Sequence, residues 1–307
     1  MKCSSLGLLL LLSAHPAAAA KTDARATLTA LQAMDMALSR VGYRLATANV
    51  GMCDRRQPAS GLLLQGIEQY GADFRASAAV LFALGAAPGV TGVIAGSPAD
   101  RAGIRANDSV KALNGAALPL AAGPGFDRMA AVLDRLETAL VAGPVHLDLE
   151  RAGQNLSVTL QGVPACASRF QVKSSPGFSA GANGRYVEVD AGLLAFADGD
   201  DEIAVIVAHE LAHNILKHPE TLNAQGVSRK AILGKDARRI RETEVEADRF
   251  SIRLLASAGY RLEAAPLFWA RFGKAHGHGI LSDSTHLRWK KRVALIEAEI
   301  AAVRAGP

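Results

Sequence analysis

The sequence predicts an α+β protein in three parts: an amino-terminal helix, a β-rich middle region, and a mainly helical carboxy-terminal half with a small β-sheet. Three observations lead there. Over residues 22–48 apolar side chains recur every three or four positions, which marks one face of a helix. Over residues 62–163 short runs alternate apolar with polar residues between Gly, Asn and Asp turn signals, the grammar of strands and hairpins. Beyond residue 167 one alternating strand, at 186–189, is followed by long helical runs with stop signals at Pro219 and Gly259.

The first twenty residues carry Lys2, an apolar run to Leu12 and then Ala18-Ala19-Ala20, the regions of a secretory signal, which starts the mature chain at Lys21. The alternative is a membrane anchor, but the run over 6–12 is too short to span about 30 Å of hydrocarbon. Export across an inner membrane follows, into the periplasm if the source is a Gram-negative bacterium, with no integral membrane span left once the signal is removed. Cys3 leaves with the signal. Cys53 and Cys166 remain in an oxidising compartment, where a disulfide between them is expected, two buried free thiols being the alternative.

The apolar residues of the first helix are Leu28, Leu31, Met34, Leu38, Val41 and Leu45, and residues 51–61, with Pro58, read as a connection. Residues 76–99 carry no charge, but Gly85, Pro88, Gly89, Gly92, Gly96 and Pro98 interrupt them, which suits strands and turns rather than a membrane helix. A strand is expected over 90–95, then Ser97 as a helix cap with Pro98 at the first helical position and Gly103 as the stop. Asn107-Asp108 turns the chain, residues 110–113 form a strand, and Asn114-Gly115 signals a tight turn. A helix over 127–140 and a hairpin of 145–150 with 156–160 around Ala152-Gly153-Gln154 complete the region.

The run Gly92 to Ile104, followed by Asn107 to Gly115, resembles the signature of bacterial PDZ domains, and the likeness covers residues 62–163. The resemblance implies capture of extended peptides or chain ends by strand addition; a structural spacer is the alternative. Phe82-Ala83-Leu84-Gly85 is a weak match to a carboxylate-binding loop, and no binding residues are assigned there.

The composition, 50% hydrophobic and 21% charged over 307 residues, excludes a mostly disordered chain and leaves room for about two domains. The net charge of +5 is modest. Arg229, Lys230, Lys235, Arg238, Arg239 and Arg241 are spaced as on a solvated helix face, without interleaved aromatics, so nucleic acid is not an expected partner.

The chemistry concentrates on a helix expected over 201–218, capped by Asp200-Asp201 and closed by Pro219. It contains His209-Glu210-Leu211-Ala212-His213. Histidines four apart share one helical face, so both imidazoles can reach one ion, with Glu210 beside them to activate a water. On an apolar helix these polar groups need partners, and a metal supplies one. Zinc suits the set, one ion per chain, because three protein ligands leave a position open for water whose pKa falls to about 7. The second helix, carrying Glu244-Val245-Glu246-Ala247-Asp248, offers the rest. Glu244 can close the metal site and Asp248 can accept a hydrogen bond from a ligand histidine, while Glu246 faces elsewhere as a solvated carboxylate.

This arrangement, His209 to His213 followed by Glu244 and Asp248, resembles the gluzincin peptidases that include the HtpX stress protease, the CAAX prenyl endopeptidases and the periplasmic BepA proteases. The likeness runs over about residues 170–302, and residues 176–196 resemble the strand preceding the zinc helix. In that family a later His-Pro segment, with arginine six residues on, approaches the site. His286 and Arg292 keep the spacing although Leu287 replaces the proline; the resemblance implies oxyanion binding or zinc capping by His286, supported by Arg292, and the alternative is an exposed histidine and a helix-face arginine.

His218 is not a metzincin third ligand, since that spacing falls on Pro219 and Leu216 stands where a glycine is required; it reads as a helix C-terminal cation. His276 and His278 lie in a Gly-rich loop, covering the cleft or solvated.

The expected organisation is therefore a signal at 1–20, an N-terminal helix and connection at 21–61, a PDZ-like β-rich domain at 62–163 and a zinc metallopeptidase domain at 167–307. The resemblance implies an endopeptidase acting on protein or peptide substrates, envelope proteins among them, with the PDZ-like domain recruiting or gating substrate. The alternative is a peptide-binding, chaperone-like envelope factor whose zinc site is latent or structural.

Overall fold

The computed structural model describes residues 23–118, 124–228, 231, 234–276 and 287–306. The signal sequence, Arg229, Lys230, His278 and His286 lie outside the described residues.

Helix α1 (Ala24–Ala48) starts where the Asp23 carboxylate accepts the backbone N–H groups of Arg25 and Ala26. After it come β1 (Arg56–Ala59), β2 (Leu62–Gln65), α2 (Ala72–Leu81), β3 (Gly89–Val93), the single turn α3 (Pro98–Arg101), β4 (Ser109–Leu113), β5 (Ala116–Ala117), α4 (Gly125–Ala142), β6 (Val145–Arg151) and β7 (Gln154–Leu160). Strands β2-β3-β4-β6-β7, with β5 beside β4, form an antiparallel six-stranded sheet. Along β6, Val145, Leu147 and Leu149 alternate inward and meet Val132, Leu136 and Leu140 of α4 in a core separate from that of the helical half. Asn114-Gly115 and Ala152-Gly153 all take positive φ, the left-handed pair that a tight hairpin requires.

The chain leaves this unit through β8 (Val163–Cys166), which pairs with β1 so that Arg56 faces Cys166. Cys53 and Cys166 are joined by a disulfide with Cα atoms 5.7 Å apart, tying the entry of the β-rich unit to its exit. Next come β9 (Arg169–Lys173), β10 (Ala180–Ala182) and β11 (Tyr186–Asp190), a sheet in the order β10-β11-β9 with β9 parallel to β11. The helices α5 (Ala191–Phe196), α6 (Gly199–Ile215), α7 (His218–Ala224), α8 (Gly234–Ser257), α9 (Ala264–His276) and α10 (Trp289–Ala305) complete the described chain.

Helix α6 is apolar on nearly every side and buried from Glu202 to Ala208 without a break, as a central helix must be. Helices α1, α8, α9 and sheet strands pack around it. α1 also approaches β9 so closely that a Cβ on Gly42 would lie 2.4 Å from Cγ of Phe170, so only glycine fits there.

The structure departs from the sequence reading in four places. The 51–61 connection contains β1, which a four-residue stretch with a central Pro58 does not advertise; Pro58 is tolerated because this two-stranded ladder leaves it at an edge. The uncharged stretch begins inside α2, an Ala-rich helix that ends before the first interrupting glycine. Strands β9 and β10 flank the single strand expected near residue 187. Finally, the metal-site helix stops at Ile215, not at Pro219. Lys217 takes a left-handed turn (φ 59°) and α7 starts at His218, with Pro219 in its first turn where a missing N–H costs nothing.

Candidate metal centre

His209 and His213 stand one turn apart on α6, and α8 lies across that face and delivers Glu244. One donor atom from each of the three lies within 4.8 Å of the others. The two Nε2 atoms are 3.2 Å apart, and the Glu244 carboxylate is 3.2 Å from Nε2 of His209 and 3.5 Å from Nε2 of His213. Ligands about 2.0–2.1 Å from a tetrahedrally held zinc sit about 3.3 Å from one another. The three observed separations bracket that edge, so this nitrogen and carboxylate set fits zinc.

The surroundings favour positive charge at this point. Asp248, one turn beyond Glu244, places Oδ1 2.9 Å from Nδ1 of His209. Arg292 of α10 donates to the same Oδ1 from Nε at 3.0 Å and Nη2 at 2.5 Å. Its guanidinium carbon lies 3.3 Å from the centroid of the Trp269 ring, a cation–π contact. Burial raises the Asp248 carboxyl, but Arg292 and then His209 more than reverse this and hold it below the ordinary carboxylate value. For His209, burial and Arg292 oppose a proton, yet Asp248 and Glu244 prevail and push its imidazole up to about 10. Arg292 Nη2 is also 3.1 Å from Nδ1 of His209, but two N–H donors cannot bond, so Asp248 is the shared acceptor between them.

Glu210 borders a cavity of about 240 Å³ beside His209, walled by Phe178, Trp269, Phe272 and Trp289. His276, at the end of α9, packs its ring 4.1 Å from that of Phe178, so it stands at the edge of this aromatic wall.

Arg292 is bonded to Asp248, and His286, which the resemblance pairs with it, lies outside the described residues. His218 is not a helix C-terminal cation. It opens α7, is buried, and sits with Nδ1 3.0 Å from Nδ1 of His213 and Nε2 3.2 Å from Glu246. Glu246 is therefore not purely solvated, although its side chain stays 61% exposed. Burial and the adjacent His213 push the His218 imidazole below its ordinary value, against the opposing pull of Glu246. Sequence reasoning missed His218 because it continued the helix past Lys217, and it missed Trp269 because an apolar helix residue announces packing only. The one available signal was a histidine five positions beyond a ligand histidine.

A buried helix with two facing histidines, closed by a glutamate from a second helix, makes a donor set that could hold a metal ion, as the resemblance to gluzincin peptidases implies. Residues 147–237 match the family model described as Peptidase family M48. The matched stretch contains His209 to His213 and ends before Glu244.

Among curated proteins the chain is similar to the mitochondrial metalloendopeptidase OMA1 of Arabidopsis thaliana, 31% identical over 134 residues, which cover 36% of this chain and 27% of that protein. The OMA1 of Schizosaccharomyces pombe is 28% identical over 137 residues, 37% of this chain and 41% of its own length. A putative beta-barrel assembly-enhancing protease of Vibrio cholerae is 31% identical over 118 residues, 29% of this chain and 24% of its own. The chain thus spans less than half the length of each of these relatives.

Proposed function

We propose that this chain is an exported zinc-dependent endopeptidase that hydrolyses peptide bonds of protein substrates. The observation that carries the reading is the convergence of His209, His213 and Glu244 at tetrahedral spacing, with Glu210 on the same helix at the cavity wall. His209, His213 and Glu244 would hold the zinc, which when bound would supply a Lewis acid for the scissile carbonyl and for a water. Glu210 accepts the proton of the attacking water and returns it to the leaving nitrogen as the C–N bond breaks. Asp248 accepts the Nδ1 proton of His209 and so keeps Nε2 free toward the metal. The aromatic walls of the cavity receive a substrate side chain and exclude water around Glu210.

The β-rich unit is read as a PDZ-like module that recruits or gates substrate. Supporting this, β2 ends its sheet and borders a cavity of about 470 Å³ shared with α4 and β9, with Leu62, Leu64, Met129 and Leu133 on one side and Phe170 and Val172 on the other. The same groove favours the second reading, a peptide-binding factor with a latent metal site.

The deciding experiment is cleavage of an unfolded protein by the purified chain and its Glu210→Gln variant, with zinc content measured in both. Cleavage by the parent alone, with zinc retained in both, supports the peptidase. A zinc-loaded parent that cuts nothing, together with a Glu210→Gln gene that fully restores a deletion strain, would establish the binding factor instead.

A further inference from the structure

Each ligand histidine presents Nε2 to the metal centre, so each must dispose of a proton on Nδ1. His209 does so directly, on Asp248. His213 has no carboxylate within reach of its Nδ1 among the contacts of the described residues; the partner there is Nδ1 of His218, at 3.0 Å. Two imidazole nitrogens at that distance form a hydrogen bond only if one carries the proton and the other does not. His213 needs its proton on Nδ1 to leave Nε2 free, which makes His218 Nδ1 the acceptor. The His218 proton is then on Nε2, 3.2 Å from the Glu246 carboxylate, which accepts it. A single set of tautomers satisfies all three groups.

We infer that His218 and Glu246 are positioning residues that fix the tautomer and ring plane of His213, so that both ligand histidines are anchored to carboxylates of α8. One is anchored directly through Asp248; the other is anchored through one intervening imidazole to Glu246. This inference rests on the metal-centre reading above.

The fold supplies the relay by a local device. The left-handed turn at Lys217 breaks the helix and brings His218 beneath His213, where it is only 4% exposed. A straight continuation of α6 would turn position 218, five residues on, about 140° around the helix from position 213. A buried imidazole bonded on both nitrogens, one by a ligand histidine and one by a carboxylate, is held in a single orientation.

The test compares His218→Asn with His218→Gln. Asparagine keeps an acceptor oxygen near the position of Nδ1, whereas glutamine carries its amide toward the position of Nε2 and away from His213. Zinc affinity is measured by competition with a chromophoric chelator, ligand geometry by the visible spectrum of the cobalt-substituted protein, and integrity by the melting temperature in excess chelator.

The expected result is zinc binding weakened about 10- to 100-fold in His218→Gln, with an altered cobalt spectrum, and within about threefold of wild type in His218→Asn. Glu246→Gln, at an exposed carboxylate, is expected to weaken zinc less than His218→Gln does. Equal zinc affinities in the two His218 variants, whatever their melting temperatures, would overturn the inference, because a merely structural histidine is not sensitive to where the acceptor sits. A wild-type chain that takes up no zinc would remove the metal-centre reading itself and this inference with it.

Discussion

Replacing Asp248 by Asn keeps the shape and one acceptor oxygen but removes a charge that faces a buried guanidinium and a ligand imidazole. Asp248, Arg292 and His209 are 3%, 6% and 5% exposed, so water cannot stand in for the lost carboxylate. Breaking one side of a buried ion pair costs about 3–5 kcal/mol. Because an acceptor remains for His209 Nδ1, the lower end, about 3 kcal/mol, is expected for Asp248→Asn in the presence of chelator. Arg292→Met costs a similar amount and also forfeits the contact with Trp269.

The double variant has neither charge to leave unpaired, so its loss should fall short of the sum by about 2 kcal/mol or more. The Trp269 contact is absent from both Arg292→Met and the double variant and cancels in the cycle. Zinc affinity, read by chelator competition, should fall about 10- to 100-fold in Asp248→Asn. Urea denaturation of the four proteins decides the matter. Losses that add to within about 0.5 kcal/mol would refute the claim that Arg292 is held in place by Asp248.

Three further outcomes are expected. Reduction, or Cys53→Ser with Cys166→Ser, opens a cross-link spanning 113 residues and should destabilise by up to about 5 kcal/mol in the chain-entropy view; an unchanged melting temperature under reductant would count against it.

Burial raises the Asp35 carboxyl to about 6 from 3.8, against opposing hydrogen bonds from Val172 and Gln65. Its contribution is therefore fully present below pH 3.8 and lost as pH rises through about 6, a change of at most about 3 kcal/mol at about 1.36 kcal/mol per unit. Asp35→Asn should be more stable than the parent at pH 8, with the advantage vanishing near pH 4, as followed by denaturation at each pH.

Gly42→Ala forces a methyl against the Phe170 ring and should cost about 1–3 kcal/mol, part of which a second change, Phe170→Leu, restores.

Much of the architecture was legible in the sequence where its cause is local. The α1 period, the Ser97 cap with Pro98, the Asn114-Gly115 turn and the β6–β7 hairpin each follow from spacing or from one residue's backbone preference. Strand β1 was not legible, because four residues with a central proline become a strand only when a partner ladder is in place, whereas β9 does alternate polar with apolar but is only five residues long, and its parallel partner lies in β11. The end of α6 was misplaced for a related reason: Pro219 reads as a stop, but the turn at Lys217 comes first, and a lysine gives no warning of a left-handed conformation.

The sequence by itself determined the donors. Two histidines four apart on a helix share a face whatever surrounds them, and Glu244 and Asp248 share one for the same reason. Only the tertiary structure decided how these faces meet. Glu244 reaches His209 across 35 residues and Arg292 approaches it across 83, through the packing of α8 against α6 and of α10 against α8 and α9. His218 meets His213 because one residue turns left-handed between them. Periodicity fixes directions within an element, whereas contacts between elements depend on packing distances and crossing angles that no local pattern encodes.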